Sequence, residues 1–280
     1  MTCYPAFSVS MCVYGGDDPR FFDDAIASIV EQTVQPNEIV LTVDGPVPEI
    51  TEKVIQKYRE QLAQTDIVFK VVYLAKNMGH GEARRICLDN CSHELIALMD
   101  ADDLSVPDRF EKQLAVFVRN PAFSIVGGNI QEFIDVPENC VGKRVVPMAD
   151  ADIKTYMQKR CPMNQVTVMF RKADVIAVGG YIDWFCEEDY YLWLRLALAG
   201  KQFANVPENM VNVRVGDEMY SRRGGWKYFC SEAKLQRFML KKEMISFPRF
   251  MINVLQRFIL QVLLPNELRK LVFQQFAREN

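Results

Sequence analysis

Leu95-Ile96-Ala97-Leu98-Met99-Asp100-Ala101-Asp102-Asp103 is the stretch on which the architecture turns. Five unbroken apolar residues are too few for a buried helix and lack the alternation of a half-exposed strand. They read as a strand covered on both faces, the kind found at the centre of a parallel sheet. The three carboxylates that follow then stand at the carboxyl end of a central strand, the edge where open α/β sheets bind ligands. Hard oxygen donors on a short turn suit Mg2+ or Mn2+. The same residues could equally cap the helix expected after Pro107, with Ser105 helping.

Outward from this strand the pattern alternates. Strands are expected over 7–14, 38–43 and 67–74, with helices over 21–32, from the Gly45-Pro46 turn to 58, and over 81–90. This is the rhythm of βαβ units. Beyond Pro107 the reading is a helix to about 118, one or two strands over 123–133, a strand near 141–146, and a helix from about 150. A strand over 166–170, a helix over 189–199 stopped by Gly200, and a closing strand pair over 203–215 complete the body. From Gly224 onward the pattern is helical. The expected fold is α/β, a Rossmann-like, mostly parallel central sheet flanked by helices, with a body over 1–220 and a basic, amphipathic helical region over 221–280.

With 280 residues, 49% apolar and 25% charged, the chain has the balance of a globular protein. A net charge of −3 argues against a nucleic-acid binder. That total conceals an asymmetry: from Arg222 to Asn280 there are twelve Lys/Arg against four Asp/Glu. An acidic body needs a cation or directed basic groups to accept an anionic ligand, whereas the basic tail suits an anionic surface. Eight cysteines without a CxxC pair fit a reduced, intracellular setting. The start, Met1-Thr2-Cys3-Tyr4-Pro5, has neither a basic region nor a long apolar run, so no signal peptide is expected.

Other segments join the same sheet edge. Tyr14-Gly15-Gly16-Asp17 ends the first strand and Asp44-Gly45-Pro46 the second, each a turn by composition and each able to face a base. Asn77-Met78-Gly79-His80-Gly81 precedes a helix carrying Arg84 and Arg85, whose N-terminus could face an anion. Glu187-Glu188-Asp189 opens a helix with a strong apolar face; acids there are favoured by the helix dipole, and one of them could serve as a general base. Arg195, further along, is an ion-paired face residue or a ligand contact. There is no Walker A motif and no GxSxG elbow. Cys87 and Cys91, near His80 and His93, read as core thiols rather than a zinc site.

Taken together, these motifs resemble the family 2 glycosyltransferases, which have the GT-A fold. The likeness runs from about Phe7 to Gly200. Ser8-Val9-Ser10-Met11-Cys12-Val13-Tyr14 is similar to the family's opening strand, Asp44-Gly45 to the end of its second, and Asn77-x-Gly79-x-x-x-Ala83-Arg84 to the segment beside the donor nucleotide. Asp100-Ala101-Asp102-Asp103 resembles its DxD metal motif and Glu188-Asp189-x-x-Leu192-Trp193-x-Arg195 its ED motif.

The resemblance implies an inverting, metal-dependent transfer of one sugar from a nucleotide-sugar donor, a UDP-sugar, to an acceptor hydroxyl. Tyr14, Asp44, Asn77, Gly79, Arg84, Asp100 and Ala101 would hold the donor. Asp102 and Asp100 would hold Mn2+ or Mg2+, with Asp103 in support. Asp189 would be the base and Glu188 its neighbour at the acceptor. Processive members carry QxxRW after the base, and no copy exists here, so single transfer is expected. The readings left beside it are a nucleotidyltransferase and a non-catalytic sugar-nucleotide-binding protein.

In the tail, polar residues recur at 249, 253, 256, 257 and 261, on one helical face, and apolar residues fill the rest. So wide an apolar arc packs on the body, on a partner, or into a bilayer interface. Arg222 and Arg223 could meet a diphosphate. The expectation drawn from these features is a cytoplasmic enzyme, peripheral on the inner face of the membrane through residues 249–279, extending a lipid-linked saccharide in cell-surface polysaccharide assembly.

Overall fold

A computed structural model of the chain describes residues 4–216 and 224–265. Its first half alternates β1 (Phe7–Tyr14), α1 (Pro19–Val30), β2 (Glu38–Asp44), α2 (Glu49–Leu62), β3 (Val68–Tyr73), α3 (His80–Asn90) and β4 (Leu95–Met99). There follow β5 (Leu104–Ser105), α4 (Arg109–Arg119), β6 (Phe123–Phe133), β7 (Cys140–Arg144), α5 (Asp150–Met157), a 3-10 turn (Gln165–Thr167), β8 (Met169–Arg171), α6 (Lys172–Ala177), α7 (Glu188–Leu198) and β9 (Gln202–Arg214). Two helices close the described chain, α8 (Trp226–Lys241) and α9 (Phe247–Phe258), the latter running into a π-helical turn (Ile259–Leu263).

The strands form one sheet in the order β3-β2-β1-β4-β8-β6-β9-β5, with β7 paired to β6. β1, β2, β3 and β4 run parallel, and β8 lies antiparallel between β4 and β6. All five residues of β4 are buried. Because side chains alternate across a strand, Leu95, Ala97 and Met99 enter one core with Phe22, Ile26 and Phe110, while Ile96 and Leu98 enter the other with Cys87, Leu192 and Trp193. A continuous apolar run is what a strand needs when both faces are covered, and each of the four larger side chains contributes about 1.5–3 kcal/mol.

Local chemistry sets the boundaries. α1 starts at Pro19, earlier than its apolar periodicity indicates, because Asp18 caps it by accepting from Arg20 N at 2.9 Å and proline suits the first helical position. The segment over 203–215 is one thirteen-residue strand, not a pair. It runs parallel to β6, and the register skips Pro207 and Glu208 where Val206 faces Gly128 and Asn209 faces Asn129. Proline has no N–H to give a ladder, so it sits in an irregularity, where Asn129 Nδ2 donates to its carbonyl at 2.6 Å. The expected strand over 166–170 is shared between the 3-10 turn and the shorter β8, and the six-residue α6 follows at once.

The C-terminal helices pack on the body. Leu235, Met239 and Ile245 join the core that holds Trp193 and Phe170, and Ser231 Oγ donates to Phe185 O at 2.6 Å. Among the described residues no helix is long and apolar enough to cross a membrane.

Candidate active site

The carboxyl ends of β1, β2 and β4 lie side by side on one edge of the sheet. Tyr14 pairs with Asp44 across β1 and β2, and Met11 with Met99 across β1 and β4, so Asp100 emerges on the same edge. Tyr14 is 40% exposed, and its ring lies over Gly16: a Cβ there would stand 2.6 Å from Tyr14 Cε2. Asp44 is buried and spends both carboxylate oxygens on the neighbouring loop. Oδ1 accepts from Met78 N at 2.6 Å and Oδ2 from Gly79 N at 3.0 Å. Gly45, at φ +85°, lets the two turns touch, since a Cβ would lie 2.5 Å from Asn77 N. Asn77 itself is exposed, and Gly79, at φ +88°, opens α3.

Arg84, on the second turn of α3, joins the two acidic segments. Its Nη2 lies 3.1 Å from Asp100 Oδ1, and its Nη1 lies 3.3 Å from Glu188 Oε1 and 3.2 Å from Asp189 Oδ1. The guanidinium side chain is 10% exposed. Burial opposes its charge, but Asp189, Asp100, Tyr181 and Glu188 hold it protonated well above the usual range. Asp189 is pushed up to about 7 by burial, reinforced by Glu188 and Asp100 and opposed by Arg84. A carboxylate tuned close to neutrality, at the ligand-binding edge of an α/β sheet, is suited to take a proton. Glu187 is a poorer candidate: buried against Glu232, it is raised well above the carboxylate range by burial and by that neighbour.

The DxD turn divides its carboxylates. Asp102 is exposed, Ala101 is buried, and Asp100 is about one-third exposed. Asp103 is buried instead, with Oδ1 accepting from Arg214 N at 2.8 Å, and burial together with Asp102 and Asp100 holds it well above the usual range. Its expected role in support of a metal gives way to one of anchoring the turn to β9. Among the described residues no cluster of three or more Asp, Glu, His or Cys forms a ready-made cation cage.

Arg195 donates from Nη1 to Val178 O at 2.5 Å and from Nη2 to Gly180 O at 2.7 Å, with its guanidinium over the Tyr191 ring. It clamps the backbone after α6, and two Nη groups engaged in this way leave it a support rather than a diphosphate contact. Arg222 and Arg223 lie outside the described residues.

Two supporting arginines are not evident in the sequence. Arg214 Nε donates to Asp102 O at 3.2 Å, so this residue holds the DxD turn through backbone and side chain alike. Arg109 is fully buried under β4 and donates to Leu98 O at 2.8 Å. The available signal was a lone basic residue closing a strand for Arg214, and one opening an amphipathic helix beside Phe110 for Arg109.

Residues 8–179 match the family described as Glycosyl transferase family 2, and residues 95–271 match Glycosyl transferase family group 2. The chain belongs to glycosyl transferase family 2. It is a glycosyltransferase, which removes the nucleotidyltransferase and non-catalytic readings. This transferase is 38% identical to an uncharacterized glycosyltransferase of Haemophilus influenzae over 98% of its length and 99% of the relative's. It is 34% identical to the UDP-Gal:alpha-D-GlcNAc-diphosphoundecaprenol beta-1,3-galactosyltransferase of Escherichia coli, over 98% of its own chain and 97% of that one. Its fold is GT-A, like that of the mannosyltransferase PcManGT from Pyrobaculum calidifontis, solved with GDP-Man and Mn2+. That match has a TM-score of 0.63 at 15% identity and covers 96% of the transferase and 72% of the other chain.

Proposed function

We propose that this transferase moves one sugar from a nucleotide-sugar donor, a UDP-sugar, to a hydroxyl of a lipid-linked saccharide in cell-surface polysaccharide assembly, inverting the anomeric centre. The observation that carries the reading is the Arg84 junction, which brings Asp100 and Asp189 to one guanidinium. The E. coli relative, whose name specifies a UDP-sugar and a diphosphoundecaprenol-linked acceptor, supports the choice of substrates. In this reading residues 1–220 carry the donor and the chemistry, and the basic C-terminal region, 221–280, is an appendage whose described helices α8 and α9 pack on that body.

Asp189 accepts the proton of the acceptor hydroxyl as that oxygen attacks the anomeric carbon and the bond to the nucleoside diphosphate breaks. Glu188 stands beside it and accepts hydrogen bonds from the incoming sugar. Tyr14 offers its exposed ring to the base, while Asp44 holds the Asn77-Met78-Gly79 loop against the donor. Arg84 keeps Asp189 and Asp100 in register. Asp102 and Asp100 would hold a divalent ion: they are two hard carboxylates on one turn, the donor type that Mg2+ and Mn2+ take, with Asp102 exposed and Asp100 partly so. Such an ion supplies charge stabilisation for the departing diphosphate.

Asp102→Ala is expected to weaken binding of UDP plus Mn2+ by at least about tenfold, with UDP binding in EDTA unchanged. Calorimetry at both conditions checks this, and equal affinities with Mn2+ would refute the metal role. A pH profile gives a second check. Since the base works ionised and its folded pKa is raised to about 7, kcat should climb with pH and level off above about 7. The sign for stability is opposite: Asp189 keeps its proton in the fold where the unfolded chain has lost it. Its contribution is therefore lost as pH rises from 3.8 to about 7, which melting curves across that window would read.

A further inference from the structure

α9 and its π-helical turn bury a face that carries Asn253, Arg257 and Gln261, while Gln256 stays exposed. Asn253 is 1% exposed and Gln261 5%. Asn253 Nδ2 donates to Gln158 O and to Gln236 Oε1, each at 2.8 Å. Arg257 Nε pairs with Glu232 Oε2 at 2.6 Å, and Gln261 Nε2 donates to the same oxygen at 2.8 Å. Partners of this kind allow a polar stripe to be buried. The apolar stripe is thereby turned outward: Phe247, Met251, Ile252, Leu255, Ile259 and Leu263 are each between 42% and 63% exposed. An apolar face this long, left in the open, marks an interaction surface.

The patch continues toward the active site. Gly225 N donates to Gln261 O at 2.9 Å, bringing Trp226, 62% exposed, beside the π-helical turn. Beside it Lys227 Nζ lies 3.9 Å over the ring of Phe185, itself 43% exposed and only a few residues before Glu188. Charge identifies the occupant. Residues 224–265 carry seven Lys/Arg and two Asp/Glu, and one of those acids, Glu232, is taken up by Arg257. Lys227, Lys241 and Lys242 are exposed and Arg249 partly so. A second copy docked face to face would bring these cations together, which is unfavourable. A surface of anionic headgroups over acyl chains matches both the apolar stripe and the excess of cations over 224–265, and tryptophan favours that boundary.

We propose that the outer face of α9 and its π-helical turn docks on an anionic bilayer, bringing the start of α7, with Glu188 and Asp189, toward the membrane surface. The placement of the acceptor rests on the lipid-linked reading above; the docking does not. The test is flotation of the full chain with vesicles of phosphatidylcholine alone and with 30% phosphatidylglycerol, beside a Met251→Glu/Leu255→Glu variant, both sites being exposed and neither having a part in the donor or acceptor chemistry. Binding should favour the anionic vesicles, and the double variant should partition at least about tenfold less, with unchanged melting.

Equal partitioning of variant and parent would overturn the proposal. So would a dimer, seen by sedimentation, that the variant abolishes while neither protein binds vesicles. Transfer to a short, water-soluble saccharide-diphosphate acceptor without vesicles separates the two readings. Loss of that transfer with vesicle binding intact sinks the acceptor reading and leaves the docking standing.

Discussion

Asp189→Asn is expected to lower the transfer rate by about 10²–10⁴-fold while donor affinity stays within about twofold of the parent. The amide is nearly isosteric and can still offer one oxygen to Arg84 Nη1, which in the parent lies 3.2 Å from Oδ1 and 3.4 Å from Oδ2. What it cannot do is take a proton. Single-turnover transfer at saturating donor, with calorimetric binding of UDP and Mn2+ in parallel, separates the two effects. A rate near that of the parent with the natural acceptor would remove Asp189 from the role of base. A parallel fall in donor affinity would assign it to donor binding instead.

Arg84→Gln should cost stability as well as activity. Removing the guanidinium leaves Asp100, Glu188 and Asp189 repelling one another in a recess. Breaking a fully buried pair costs about 3–5 kcal/mol; here Asp100 is 36% exposed, so a loss of about 2–3 kcal/mol at neutral pH is expected. Arg84 is also the cation that opposes the upward shift of Asp189. Without it Asp189 should titrate higher and the rising limb of the rate profile should move to alkaline pH. The stability deficit should shrink on acidification, as the stranded carboxylates take up protons. Denaturant titrations at pH 5 and pH 8 compare the cases, and a deficit equal at both would show that Arg84 acts through packing rather than charge.

Much of the body was legible because its signals are local. β4 reads as a central strand from five apolar letters, and the end of β1 opposite the end of β2 follows from their parallel pairing. Gly200 marks the end of α7 and adopts φ +73°, as a residue after a helix often does. The misjudged elements depend on partners far along the chain. Pro207 and Glu208 could be absorbed in one strand only because Asn129 on β6 receives the irregularity. Asp102 and Asp103 are indistinguishable as letters, and Arg214 on β9 is what makes one an anchor and leaves the other accessible. Arg195 belongs to the motif by spacing, yet the carbonyls of Val178 and Gly180 claim it.

By itself, the sequence determined the alternation of strands and helices, the carboxylates at the end of a central strand and the family. Each of these is written in hydrophobic periodicity or in short motifs whose meaning needs only neighbouring residues. Only the tertiary structure decided that Arg84 clasps both acidic segments and that α9 turns Asn253 and Arg257 inward. An ion pair and a buried face are properties of two surfaces in contact, and the amphipathic pattern of one helix does not say which of its sides will find hydrogen-bonding partners.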